Sequence, residues 1–269
     1  MKITRITSQQ KNKHRFNIFL EKGNGEAYGF SVDEDVLVEY RLHKGMELDE
    51  PTVQALIQKD TIQKSFTLAI HYLSYRMRSQ KEVRDHLVKK EVDSEHIEVI
   101  MERLLKEGLL DDQAFATALV RTRINTTSKG PLLLKKELLD KGIAASIAEE
   151  ALQIYSYSKQ LEKAAKWMEK KLGSSKQKSF RQQVQSVQQT LMQKGFSSDV
   201  IKDVTAGIEE EKDTNAEWEA VMLQGEKLVR KYEKKETGYQ LKQKVKAALY
   251  RKGFDMELIA RFIEEQIEQ

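Results

Sequence analysis

The chain is expected to be mostly α-helical, an elongated array of about four tandem three-helix repeats behind a small N-terminal strand-rich segment. Three observations predict this. Apolar residues alternate, or nearly so, through most of residues 1–60 and take up helical spacing from Thr52 onward. Gly and Pro are sparse, thirteen and two in 269 residues, which suits long helices. A short phrase, Leu-x-x-Lys-Gly-Ile/Phe, recurs at intervals of about fifty residues, the mark of a repeat architecture.

In the head, Ile3 and Ile6, then Phe16, Ile18 and Leu20, keep the period of a half-buried strand. Gly23-Asn24-Gly25 is a hairpin signal because Asn and Gly both tolerate positive φ. Ala27 through Val32 alternates again as the return strand. Val36 through Leu42 forms a second apolar patch that ends at His43-Lys44-Gly45. The glycines at 23 and 25 do not make a phosphate loop, which needs further glycines, a Lys-Ser/Thr pair and a long following helix.

The helical body opens with Phe66, Ala69, Ile70 and Leu73 at i, i+3, i+4 and i+7. Ser79-Gln80-Lys81-Glu82 is a capping-box pattern that starts a short helix with Val83 and Leu87 on one face. Ile97, Ile100, Met101, Leu104 and Leu105 form a third stripe, stopped by Gly108.

The recurring phrase reads Leu138-Leu139-Asp140-Lys141-Gly142-Ile143, then Leu191 through Phe196, then Leu249 through Phe254, with a degenerate copy at Leu87 through Val92. Its Leu closes a helix core, its Lys suits the negative helix end, and its Gly supplies a left-handed cap. Lys90-Glu91-Val92 lacks the glycine, so the first copy is expected to end by another route. Apolar helices follow each copy, with Ile147 and Ala151, Val200 and Val204, Ile259 and Phe262. Upstream helices carry Phe115 and Leu119, Leu161 and Met168, Trp218 and Val221. The expected divisions are 1–60 for the head and 61–108, 109–157, 158–210 and 211–269 for the repeats. Glu209-Glu210-Glu211 with Asp213 is expected near the last joint.

Apolar residues make up 39% and charged residues 33%, which favours several thin cores over one large one. The absence of Cys excludes disulfides, thiolate metal sites and Cys nucleophiles. The N-terminus lacks the apolar core of a signal peptide, and no window approaches the ~18 apolar residues of a spanning helix. A soluble, cytoplasmic protein without membrane contact is expected. Residues 156–206 hold ten Lys/Arg against four Asp/Glu, while the rest is balanced. That segment either attracts phosphate or an acidic protein face, or is a solvated lysine-rich face.

No catalytic grouping emerges. The five His form no His-Glu-x-x-His pair, there is no Gly-x-Ser-x-Gly elbow, and Asp111-Asp112 reads as a helix cap. No catalytic, metal or cofactor-binding residue is expected, and the chain is not expected to be an enzyme.

Tyr75-Arg76-Met77-Arg78-Ser79-Gln80-Lys81-Glu82-Val83, then Gly108-Leu109-Leu110-Asp111-Asp112-Gln113-Ala114-Phe115-Ala116, resembles the signature of the RecX family of bacterial regulators. Lys129-Gly130-Pro131 followed by Glu137-Leu138 and Lys141-Gly142-Ile143 belongs to the same pattern. The resemblance is clearest over residues 67–152. It implies a non-enzymatic modulator, acting as a monomer, that lodges in the helical groove of the RecA filament on single-stranded DNA. Such a protein suppresses strand exchange, ATP hydrolysis and filament-dependent cleavage of the SOS repressor, and some members also bind DNA directly.

Exposure logic nominates Arg76, Arg78, Arg121, Arg123 and Lys129 for the filament or DNA, since arginine forks suit carboxylates and phosphates. Their other reading is capping helix carbonyls and pairing with nearby Glu. Lys163, Lys166, Lys170, Lys171, Lys176, Lys178 and Arg181 form the candidate DNA-facing patch. Trp167 either stacks on a base or belongs to the core. Two rival functions remain: a stand-alone DNA-binding regulator built from helix-turn-helix-like repeats, and a general peptide-binding scaffold.

Overall fold

A computed structural model describes residues 1–23, 25–172, 177–206 and 214–267. Two compact units are present: Met1–Phe115 with Lys141–Ile143, and Ala116–Asp140 with Ala144–Gln269.

In the first unit, β1 (Ile3–Ser8), β2 (Arg15–Lys22) and β3 (Gly25–Asp33) form an antiparallel sheet in the order β1-β2-β3. Phe16 faces Val32 and Ile18 faces Phe30, and then the register shifts by one residue. Gly29 sits at that bulge, where a Cβ would lie 2.6 Å from the Leu20 side chain. The apolar patch after the sheet is a short helix, α1 (Glu34–Glu39), capped by the Asp33 carboxylate and burying Val36.

The helix α2 (Glu50–Ser74) begins at an Asp49 cap and runs unbroken through position 60. It serves two cores: Val53 and Leu56 join Ile3, Ile18 and Val32 of the head, while Phe66 and Ala69 face the first bundle. Between these stretches sits the nearly buried Asp60, which accepts two bonds from Arg15 (3.1 and 2.9 Å) and one from the Asp33 N–H (2.8 Å). Burial pushes the Asp60 carboxyl up, but Arg15, Lys64 and that N–H outweigh it and hold it below its ordinary value. The first bundle is completed by α3 (Gln80–Lys89) and α4 (Ser94–Lys106), whose Val83, Leu87, Ile97, Ile100 and Leu104 are buried. Each such side chain contributes roughly 1.5–3 kcal/mol of burial.

The helix α5 (Asp112–Thr126) leads into the second unit, and Asp111 caps it by accepting the Ala114 N–H at 2.9 Å. Next come α6 (Pro131–Asp140), α7 (Ala145–Leu152), α8 (Tyr157–Leu172), α9 (Phe180–Gln193) and α10 (Ser198–Ala206). The last triplet is α11 (Thr214–Tyr232), α12 (Gly238–Arg251) and α13 (Met256–Ile267), closed around Val221, Val245, Leu249, Ile259 and Phe262. Tandem three-helix repeats thus follow a three-stranded sheet, as the sequence predicts. Asn24, Lys176 and the acidic run Glu209–Glu211 with Asp213 lie outside the described residues.

The first copy of the phrase corrects an expectation. Glu91 takes the left-handed conformation at φ 58°, and the Val92 N–H donates to the Leu87 carbonyl at 3.1 Å. Phe196 donates to Leu191 in the same way, also at 3.1 Å. Lys90-Glu91-Val92 therefore ends its helix by the same route as the glycine copies.

Glycine has a second task in the later copies. Within the second unit, the Gly130 N–H at the start of α6 donates to the Lys194 carbonyl at 2.7 Å, and the Leu132 N–H donates to Gly195 at 3.1 Å. The unpaired donors of one middle helix thus meet the unpaired acceptors closing the next, head to tail with their dipoles. A Cβ on Gly195 would come within 2.6 Å of the Leu133 nitrogen, and one on Gly130 within 2.4 Å of Gly195. The other joints use serine. Ser179 caps α9 by accepting the Gln182 N–H and donates its hydroxyl to the Lys252 carbonyl. In the first unit, Ser79 accepts the Glu82 N–H and donates to the Lys141 carbonyl at 2.7 Å.

Candidate partner-binding surface

The nominated basic residues occupy quite different surroundings. In the first unit the capping box is complete, and its Glu82 gathers charge. The carboxylate accepts from the Ser79 N–H (3.2 Å), from Arg76 (3.0 Å) and from Lys141 (2.7 Å). Burial pushes the Glu82 carboxyl up, but these donors together outweigh it and hold it at about 2. Arg76 is therefore tied into a cap and also reaches the Met77 carbonyl. The phrase lysine acts here beyond its own helix end, because the Lys141 ammonium serves the Glu82 carboxylate.

The Arg78 guanidinium carbon sits over the Tyr72 ring, 4.1 Å from its centre, and Tyr72 stacks on His86 at 3.9 Å. Burial, then the nearby Lys90, Arg78 and Lys89 charges, push the His86 imidazole below its ordinary value. Arg78 is half-buried in this stack, next in sequence to the exposed Met77 and three residues from the exposed Tyr75.

In the second unit, Arg123 and Lys129 converge on Glu137 at 2.7 Å each, bracing the α5–α6 corner. Burial opposes that carboxylate's ionisation, and the two cations reverse the effect, leaving its pKa lowered. Arg121, two residues away, is exposed. Of the five nominated residues, Arg76, Arg123 and Lys129 make the glutamate pairs that formed their alternative reading, and Arg121 faces solvent.

The lysine-rich segment also divides. Lys163 is half-buried and donates to the Ile124 and Thr127 carbonyls that finish α5, and burial lowers its pKa. Lys166 pairs with Glu162 one turn back, at 2.6 Å. Lys170, Lys171, Lys178 and Arg181 are exposed. Trp167 is half-buried, with the Lys194 ammonium 5.2 Å from its ring centre, and Lys194 also donates to Ser128 at 2.7 Å. The outward-facing part of the cluster is thus smaller than the sequence count. Reasoning from charge runs passed over the fourth repeat, where Tyr239 and Tyr250 are exposed on a helix without acidic residues. Their separation by eleven positions was the available signal. Among the described residues no helix is long and apolar enough to cross a membrane.

Comparison with known proteins covers the same elements. Residues 1–49 match the model described as the regulatory protein RecX N-terminal domain. Residues 66–104 and 111–152 match the first and second RecX three-helix domains. The third three-helix domain matches twice, over 158–205 and 215–263. The chain is 52% identical over 268 residues to the regulatory protein RecX of Oceanobacillus iheyensis, covering 99% of this chain and 98% of that one. It is 44% identical over 263 residues to that of Halalkalibacterium halodurans, covering 98% and 99%. A crystal structure of a regulatory protein RecX superposes with a TM-score of 0.69 at 36% identity, over 76% of this chain and 98% of the other.

Proposed function

The chain belongs to the RecX family of regulatory proteins, and from that premise we propose that it regulates the RecA filament on single-stranded DNA by binding it. It occupies the filament's helical groove as a cytoplasmic monomer and slows strand exchange, ATP hydrolysis and filament-dependent cleavage of the SOS repressor. It does so as a binding protein rather than a catalyst. The observation that carries this reading is the match of four RecX domain models, in order, along the chain. Tandem repeats suit the task because they present side chains at regular intervals to a partner that is itself periodic. Arg121 and the Arg78–Tyr72 stack are the groups best placed for an acidic protein face, since neither is spent on a glutamate bridge.

The test is a titration of RecA ATPase on single-stranded DNA. Near-stoichiometric protein should suppress turnover, and Arg121→Glu should shift the titration to higher concentration. Unchanged ATPase at saturating protein would refute the reading.

A further inference from the structure

Every repeat carries one exposed apolar side chain at the same place. The first leucine of the recurring phrase is fully buried in all four copies, as Leu87, Leu138, Leu191 and Leu249. The residue after it is large, apolar and exposed in all four: Val88 at 60%, Leu139 at 43%, Met192 at 58% and Tyr250 at 59%. No other position of the phrase combines those properties in four copies. Each sits in the last turn of its repeat's middle helix, two residues before Lys90, Lys141, Lys194 or Lys252. Local structure does not call for an apolar group there. The helix end is closed by the buried leucine and the residue five places on, as the bond from the Phe196 N–H to the Leu191 carbonyl shows. The negative end of a helix favours a cation on its exposed side, and an exposed valine is a weak helix former. Four apolar choices at one solvent-facing position therefore point to a partner.

We propose that Val88, Leu139, Met192 and Tyr250 are the contact points by which each repeat holds a protein partner that itself repeats, each entering an apolar socket with an acidic rim. The proposal rests on the filament reading and assigns residues to the filament's protein face. Spacing supports it. Within the second unit Ser179 joins α9 to the end of α12, and Gly130 joins α6 to the end of α9. Tyr250, Met192 and Leu139 thus follow one another at about one middle-helix length, roughly 15–21 Å, as contacts to successive identical subunits require. Charge sets the chemistry of the partner. Lys89 and Lys90 follow Val88, Lys136 lies one turn before Leu139, and Arg251 follows Tyr250. The helices α9 and α12 contain no Asp or Glu, and Asp140 is the one carboxylate next in sequence to a contact point. A second copy of this chain would bring like charges together, which disfavours self-association through these positions. Nucleic acid fits poorly, because Val88, Leu139 and Met192 offer no flat ring on which a base could stack.

The test is the affinity of the full chain for RecA filaments assembled on single-stranded DNA with a slowly hydrolysed ATP analogue, read by biolayer interferometry. Val88→Gln, Leu139→Gln, Met192→Gln and Tyr250→Gln should each weaken binding by about 5- to 50-fold, and the quadruple variant more than any single one. Glutamine is a good helix former and all four positions are exposed, so urea midpoints should stay unchanged. Leu139→Met should bind within about twofold of the wild type, because the socket reads apolar surface rather than one shape. Val99→Gln is the control, an exposed apolar residue of α4 outside the phrase, and should leave the affinity unchanged. A wild-type chain that does not bind filaments would remove the filament reading and this assignment together. Wild-type binding matched by the quadruple variant would overturn the assignment alone. So would a loss from Val99→Gln as large as from the phrase positions. Wild-type oligomers in sedimentation that the quadruple variant loses, at unchanged filament affinity, would give the positions to a second copy and overturn it. An equal loss of affinity for bare single-stranded DNA would give them to nucleic acid and overturn it as well.

Discussion

Replacing Gly195 by Ala tests whether the recurrent glycine serves the joint between repeats or only the end of its own helix. Two costs are expected. At φ +83° an L side chain incurs about 1–2 kcal/mol from the left-handed backbone. The added Cβ would also sit 2.6 Å from the Leu133 nitrogen, which is backbone and cannot swing aside. The segments must part, stretching the Gly130–Lys194 and Leu132–Gly195 hydrogen bonds, worth about 0.5–1.5 kcal/mol each. The total is about 2–5 kcal/mol. Gly108→Ala is the control, because Gly108 has φ +68° but nothing within 4 Å of its would-be Cβ. It should cost about 1–2 kcal/mol, the backbone part alone. Urea unfolding followed by circular dichroism gives the two losses, and amide exchange at Gly130 and Leu132 shows whether the joint opens. Equal destabilisation by the two substitutions, with unchanged exchange at those amides, would refute the joint's role.

Other outcomes follow from the same geometry. Glu91→Gly should stabilise the protein by about 0.5–1 kcal/mol in urea melts, because it removes left-handed strain at φ 58° and offsets the added chain entropy. Gly225→Ala would ordinarily strengthen a helix by up to ~1 kcal/mol, but here the new Cβ lies 2.3 Å from the fully buried Phe262 ring, so a net loss of about 1–2 kcal/mol is expected. Glu82 has a folded pKa below its unfolded one, so its contribution is present above about 4.5 and is lost as pH falls toward about 2. After solvent screening this amounts to ~1–2 kcal/mol, and Glu82→Gln should flatten the acid limb of the stability–pH curve. Reversing Lys170, Lys171, Lys176 and Lys178 to Glu should weaken direct DNA binding and lower its salt slope, read by filter binding at several ionic strengths.

Much of the fold was legible because burial repeats at helical period. Phe66 and Ala69, Val83 and Leu87, Ile97 and Ile100 are stripes in the sequence and walls of one core in the structure. The Ser79–Glu82 box and the Asp111 cap were equally readable, since their bonds span only three residues. Bonds spanning dozens of residues were not. Nothing local couples Lys141 to Glu82 or Lys163 to the end of α5, so Lys141 reads as a charge for its own helix end and Lys163 as part of a DNA-facing patch. Helical spacing from Thr52 announced α2, but not its continuity through the expected division at 60: its two ends feed different cores although the helix does not break.

The head-to-tail joint makes the chain modular in one direction. Each middle helix brings amide hydrogens at its start and carbonyls at its finish, and a duplicated copy would carry both halves of the connection with it. Duplication then requires no newly evolved contact surface, which suits a chain in which one domain model fits two successive segments. The start of α12 still has room for such an addition: Thr237 makes no side-chain cap and nothing crowds Gly238. Glu91 closes the opposite direction, where a side chain stands at the position that a docking helix end keeps bare.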